Sequence, residues 1–323
     1  MKKMLNRAVL GLVAVLCFAQ GAYSQPLSSR AIKIVVPFGA GGVADLTARI
    51  VAQKLAESMG QPVVVENKPG AGGVVAGDAV AKAEPDGHTL LLMSNGTAVS
   101  AGLFKTLPFD TLKDFAPIST LGYFDIAIVV AQDSPHKTLA ELLSFARANP
   151  GKLNIGTINI GSTQNLSAEL FKTTAGIQAQ VVPFNGTPAV ITALRGGQID
   201  AAFEILSPML PQINVHSVRA LAVLGDKRSV AQKDVPTVSQ SGLKGYSVAS
   251  WNALAAPAKT PKDVIARLNR EVQAVLNTPD VKKRLADLNI EASPSTPAQL
   301  GDLLTTEIKR WSEVIVRSKI PTQ

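Results

Sequence analysis

The sequence predicts an α/β fold in which parallel sheets are covered by helices on both faces. Short runs of β-branched residues alternate with longer segments of helical periodicity, which is the pattern of such sheets. The chain has 323 residues, more than one compact core usually takes, so we expect two domains.

The first segment, residues 1–24, is a predicted export signal. Three basic residues precede the apolar run 8–19, which is too short to span a bilayer as a membrane anchor. The small residues of 22-AYS-24 suit a signal peptidase, so we expect cleavage before Gln25. The sequence therefore predicts an exported protein.

Cleavage would remove Cys17, the only cysteine, and leave no thiol for disulfides, metal binding or catalysis. It would also remove three positive charges, so that the formal charge of +8 becomes +5. The remaining charges are scattered without a basic, aromatic-rich stripe, which argues against nucleic-acid binding. The mild positive excess suits anionic small molecules, and surface solubility explains it equally well.

The remaining elements alternate along the chain. Strands are predicted at 32–36, 62–66, 89–93, 126–130, 153–157, 179–184, 199–203 and 218–224. Helices are predicted between them at 44–58, 138–149, 165–176 and 188–197. The last third is mainly two long amphipathic helices, 261–277 and 297–318, with a shorter one near 279–289.

Four turns rich in glycine and polar residues follow predicted strands: 38-FGAGGVAD-45, 156-GTINIGSTQN-165, 184-FNGTP-188 and 94-SNGT-97. A glycine-rich turn before a helix lets an anion approach the free N–H groups and the positive end of the helix dipole. In the second turn, Thr157, Ser162, Thr163 and Gln164 add side-chain donors. We expect an anion to be held in a cleft between two lobes by neutral donors, because neither of the two longest turns contains lysine or arginine.

A dinucleotide site is the competing interpretation of the first turn. Residues 39–44 match the pattern G-x-G-x-x-A after a strand, and Glu66 ends the next strand. Against it, Pro37 enters the turn, and Asp45 suits capping of free N–H groups but would repel a pyrophosphate. Export also argues against a nicotinamide cofactor, so no cofactor is expected.

The sequence offers little for catalysis or metal binding. His88, His136 and His216 have no metal-ligand spacing, and the sequence contains no G-x-S-x-G elbow, Walker loop or H-E-x-x-H motif. A periplasmic hydrolase or isomerase that uses Ser162 or Glu204 remains a competing hypothesis.

The chain resembles the periplasmic solute receptors of tripartite tricarboxylate transporters, often called Bug receptors. The resemblance covers essentially the whole mature chain. Its motifs are 35-VVPFGAGGVAD-45, 66-ENKPGAGG-73, 84-EPDGHTLLL-92, 181-VVPFNGTPAVITALRGGQID-200, 234-DVPTVSQSGLKGY-246 and 251-WNALAAPAKTP-261.

The resemblance implies a two-lobed type II periplasmic-binding-protein fold, in which each lobe is a mixed, mostly parallel sheet flanked by helices. Residues 25–124 and 225–323 would form lobe 1 and residues 125–224 lobe 2, with crossings near 121–125 and 220–226. It also implies a periplasmic, monomeric, non-enzymatic receptor for a small mono-, di- or tricarboxylate, an amino acid or an aromatic acid. Its partners would be integral-membrane transporter subunits; a sensor kinase is the alternative partner.

Strand-end turns and the resemblance together give the predicted ligand-binding residues. They are Phe38, Gly39, Ala40, Gly41, Gly42, Asp45, Ser94, Asn95, Thr97, Gly156, Thr157, Asn159, Gly161, Ser162, Thr163, Asn185, Gly186, Thr187 and Glu204.

Three residues depart from the family pattern. Ala40 replaces a usual proline, Asn159 a frequent glycine and Asn165 a frequent histidine. Asn159 adds a polar side chain, from which we expect a ligand that carries hydroxyl or amine groups.

Overall fold

The computed structural model describes residues 30–322. The predicted export signal and Cys17 lie outside these residues. The strands are β1 Ile32–Val36, β2 Val63–Asn67, β3 Thr89–Ser94, β4 Phe115–Phe124, β5 Ile126–Ala131, β6 Leu153–Ile158, β7 Ala179–Phe184, β8 Ala201–Ile205, β9 Val218–Val223, β10 Ser250–Pro257 and β11 Ile290–Ala292.

The helices are α1 Val43–Met59, α2 Val74–Ala81, α3 Asn95–Leu103, α4 Leu139–Ala148, α5 Thr163–Ala175, α6 Thr187–Arg195, α7 Leu206–Asn214, α8 Lys262–Leu276, α9 Pro279–Asp287 and α10 Pro297–Arg317. None of the helices between residues 30 and 322 combines the length and apolar character that a bilayer span requires.

The first sheet has the strand order β11-β4-β10-β3-β1-β2. The strands β1, β2 and β3 are parallel, and β10 lies antiparallel between β3 and β4. Every residue of β10 is buried, as expected for a central strand covered on both faces. The edge strand β11 is antiparallel to β4.

The second sheet has the order β7-β6-β8-β5-β9. Its strands β6, β7 and β8 are parallel, while β5 is antiparallel to both β8 and β9. In each sheet most strands run in one direction, so the expectation of mixed, mostly parallel sheets flanked by helices is confirmed.

A single residue, Asp125, separates β4 of the first sheet from β5 of the second. The return path lies beside it, since Leu224 N donates to Ile126 O at 2.8 Å. A β-carbon at Gly225 would lie 3.4 Å from Asp125 Oδ1. The two sheets are therefore connected by chain segments that run next to each other.

One apolar cluster continues from the first sheet to the second. It contains the fully buried Trp251 and Trp311 together with Phe171 and Phe203, whose rings meet edge to face at 5.3 Å. Tyr246 Oη donates to Ser167 O of α5 at 2.8 Å. The helix α5 is thus held against the C-terminal part of the chain.

Candidate functional site

The first loop, residues 38–45, connects β1 to the first turn of α1. Gly41 has φ +83°, a conformation that favours glycine, and its N–H donates to Asp45 Oδ2 at 2.8 Å. Asn67 at the end of β2 donates to Phe38 O at 3.0 Å and to Asp45 Oδ1 at 2.9 Å. The N-cap residue Gly42 leaves the first turn of α1 without a side-chain cap. The Asp45 carboxylate accepts the free N–H of Gly41 in the loop just ahead of the helix.

The charge of Asp45 is balanced by Arg49 of α1. Arg49 Nε lies 3.0–3.1 Å from both carboxylate oxygens, and Arg49 Nη2 donates to Asn67 Oδ1 at 3.1 Å. Burial acts to raise the pKa of Asp45, but hydrogen bonds from its three partners outweigh burial and lower that pKa below its usual value. Arg49 is thus engaged by Asp45, which leaves backbone amides as the loop's donors.

The second loop, residues 156–165, repeats this arrangement. Gly161 has φ +81°, and its N–H donates to Asn165 Oδ1 at 3.3 Å. Asn165 Nδ2 in turn donates to Thr157 Oγ1 at 3.2 Å. Ser162 Oγ accepts from Asn165 N at 3.1 Å and donates to Ile158 O at 3.2 Å. Its hydroxyl is therefore used as a helix cap, whereas the sequence predicted a free donor.

The helix after the second loop begins at Thr163, two residues earlier than predicted. Thr163 and Gln164 consequently lie in the first turn of α5 and not in a loop ahead of it. Both residues are buried. The Gln164 side chain lies near Glu204 of β8, in the second sheet.

The helix α3 lies between the two loops. The Phe38 ring lies against the start of α3, where a β-carbon at Gly96 would be 3.8 Å from Phe38 Cζ. At the other end, a β-carbon at Gly161 would lie 2.6 Å from Leu103 Cδ2. Seven residues of helix separate these contacts, a length of about 10 Å. The points at which the two loops contact α3 are thus separated by about the length of a small organic molecule.

A third group of polar side chains lies where β8 meets α5 and α6. Glu204 is fully buried, and Thr187 Oγ1 donates to its Oε2 at 3.1 Å. Burial raises the pKa of Glu204 to about 7, although the hydrogen bond from Thr187, the nearby Gln164 amide and the Ile205 N–H oppose the rise. Glu204 Oε1 and Gln164 Nε2 are buried, and neither has a hydrogen-bond partner within the described chain.

Several predicted ligand-binding residues hold the framework together in this structure. Ser94 and Thr97 form a reciprocal capping box at the start of α3. Asn95 donates to Ala249 O and to Glu307, and accepts from Trp251 N.

Gly156 is required by packing, since a β-carbon there would lie 2.2 Å from Ile199 Cδ1. Of the predicted ligand-binding residues, those exposed to solvent are Phe38, Gly39, Ala40, Gly41, Gly42, Asn159 and Asn185.

Sequence reasoning did not place Asn67, Arg49 or Gln164 among the predicted ligand-binding residues. Asn67 ends the strand beside β1, and a polar residue at that sheet edge is a signal that could have identified it. Arg49 follows Asp45 by one helical turn, the spacing of a side-chain ion pair. Among residues 30–322 no cluster of three or more His, Cys, Asp or Glu side chains could hold a metal ion.

Comparisons with known proteins agree with this architecture. The family described as "Tripartite tricarboxylate transporter family receptor" matches residues 47–320. The chain is 33% identical over 311 residues to protein BugT of Bordetella pertussis, covering 95% of each chain.

Two solved structures are also similar. An R. palustris protein solved with adipate is 32% identical with a TM-score of 0.82, covering 90% of this chain and 98% of that one. MatC of Rhodopseudomonas palustris, solved with bound malate, is 34% identical with a TM-score of 0.78, covering 88% and 99%. The chain belongs to the tripartite tricarboxylate transporter receptor family.

Proposed function

We propose that this protein is a periplasmic solute-binding receptor that holds a small organic carboxylate between the first and second loops. The geometry of the two loops is the main observation that supports this proposal. Each ends at the first turn of a helix, each has a left-handed glycine held by the side chain four residues later, and they contact α3 about 10 Å apart. The relatives solved with adipate and malate support a carboxylate as the ligand.

In this proposal, residues 25–124 with 225–323 form lobe 1 and residues 125–224 form lobe 2. The lobes close around the ligand about the adjacent crossings at Asp125 and Gly225. The closed monomer then delivers the ligand to an integral-membrane transporter. The protein does not transform its ligand.

A thermal-shift screen of the chain from Gln25 onward tests the proposal. The panel contains adipate, malate, citrate, acidic amino acids, aromatic carboxylates and NAD. A ligand at about 100 times its Kd adds about 2.7 kcal/mol of stability, which raises Tm by a few degrees. We expect a rise with one carboxylate class and recovery of that ligand unchanged. A rise with NAD alone, or conversion of the ligand, would contradict the proposal.

A further inference from the structure

We propose that Glu204 couples carboxylate capture to proton uptake, so that the receptor binds its ligand with Glu204 neutral and loses affinity when Glu204 ionises. The inference rests on the proposed function and adds a linked proton to it. From the sequence, Glu204 was predicted to be a ligand-binding residue, and it was a candidate catalytic residue in the competing enzyme hypothesis.

The position of Glu204 is the first support. Its side chain has no solvent exposure and contacts the first turn of α6 through Thr187. Gln164, which is 3% exposed, brings the first turn of α5 to the same carboxyl group. The carboxyl group therefore lies beneath two helix N-termini, the ends at which an anionic ligand is favoured.

The second support is the unpaired oxygen. Thr187 donates to Oε2, while Oε1 is buried and has no hydrogen-bond partner within the described chain. A buried ionised carboxylate with a free oxygen is costly, whereas a proton on Oε1 removes the charge. The proton comes from solvent and returns there, and no bond forms between Glu204 and the ligand.

Among residues 30–322, no charged side chain contributes to the pKa of Glu204. The strands β5, β6 and β8 carry no other charged residue, and neither does α7. On α5 the charged residues are Glu169 and Lys172, which pair with each other at 2.9 Å. On α6 the only one is Arg195, in the last turn.

An ionised Glu204 and an anionic ligand would therefore compete for the same helix ends. Ligand binding must then raise the pKa of Glu204 above its ligand-free value of about 7, and the complex takes up a proton. Below that pH the group is already neutral, so affinity is constant. Above it, affinity falls by up to tenfold per pH unit until the pKa of the complex is reached.

Calorimetric titration with adipate and with malate, from pH 6.5 to 8.5, tests the linkage. Both probes are essentially dianionic throughout, so their own titration does not contribute. We expect the wild-type Kd to rise about tenfold over this range. The heat of binding should differ between buffers of different ionisation enthalpy, as proton uptake requires. Glu204→Gln should show neither the pH trend nor the buffer dependence.

Glu169→Gln is the matched control, because it changes the same chemical group on α5 at an ion pair outside the site. It should keep both the pH trend and the buffer dependence. If Glu204→Gln does not fold, the buffer dependence of the wild-type protein still decides. A pH-independent Kd, or an affinity that rises with pH, would overturn the inference and leave the receptor function standing. Failure of every carboxylate in the screening panel to bind at pH 6.5 would overturn both.

Discussion

Asp45 and Asn165 make the same contact in two different loops. Each is the third residue of its helix, and each accepts the N–H of the left-handed glycine four positions earlier, at 2.8 Å from Gly41 and 3.3 Å from Gly161. One residue is charged and paired with Arg49, and the other is a neutral amide joined to Thr157. The same backbone shape is thus stabilised in two chemically different ways.

Replacing Asp45 by alanine should remove the acceptor that holds the first loop. Loss of hydrogen bonds to a buried charged group should cost about 2 kcal/mol of unfolding free energy and weaken carboxylate binding at least about tenfold. Urea unfolding and calorimetric titration measure the two effects. Asp302→Ala, at an exposed position of α10, serves as the control and should change neither. Equal effects of the two variants would show that Asp45 does not position the loop.

Gly161→Ala should destabilise the protein more than Gly151→Ala. Both glycines have positive φ, +81° and +76°, so backbone strain is matched. A β-carbon at Gly161 would lie 2.6 Å from Leu103 Cδ2, whereas one at Gly151 has no neighbour within 4 Å. The steric contact should make the loss of unfolding free energy about 1–3 kcal/mol larger for Gly161→Ala than for Gly151→Ala, as measured by urea unfolding. The second substitution Leu103→Ala should restore part of the Gly161→Ala loss, and its failure to do so would exclude the contact as the cause.

Glu204 should make stability fall as pH rises. Its pKa increases from 4.5 in the unfolded chain to about 7 in the buried site, so the folded protein binds the proton more tightly. Its contribution is complete below pH 4.5, is lost between pH 4.5 and 7, and amounts to about 3 kcal/mol. Between pH 5 and pH 8, the unfolding free energy of Glu204→Gln should therefore fall less than that of wild type. Parallel losses in both proteins would indicate that Glu204 is ionised throughout.

Asn159→Gly should alter ligand preference. Asn159 is exposed beside the second loop's left-handed glycine, and its backbone oxygen accepts from Ser162 N at 3.0 Å. If its amide contacts a ligand hydroxyl, the variant should bind malate about five- to tenfold more weakly, as loss of one hydrogen bond predicts. Adipate has no hydroxyl and provides the internal control. Equal changes for both ligands would assign the effect to the loop backbone.

Much of the architecture follows from local sequence patterns. The β-branched runs before the first and second loops predict β1 and β6, and the helix expected at 188–197 is observed at Thr187–Arg195. The central strand β10 was missed because its alanine-rich run shows neither strand alternation nor β-branched character. The helix α7 was missed because it contains Pro208 and Pro211, residues that usually argue against a helix.

The candidate site could be predicted only in part. The glycine turns could be predicted, because the need for glycine at a tight turn before a helix depends only on local sequence. The contacts of Asn67 with Phe38 and Asp45 depend on the pairing of β1 with β2, which sequence spacing does not specify. The burial of Glu204 depends likewise on three elements that meet only in the folded chain.

The engagement of Arg49 by Asp45 has a consequence for the conditions in which the protein works. An anion held by lysine or arginine loses affinity as salt screens the ion pair. Here the donors of the first loop are backbone amides, and the Arg49 guanidinium is already paired with Asp45. The receptor would therefore keep a nearly constant affinity while the ionic strength around the cell changes, and recognition would depend on fit instead of charge attraction.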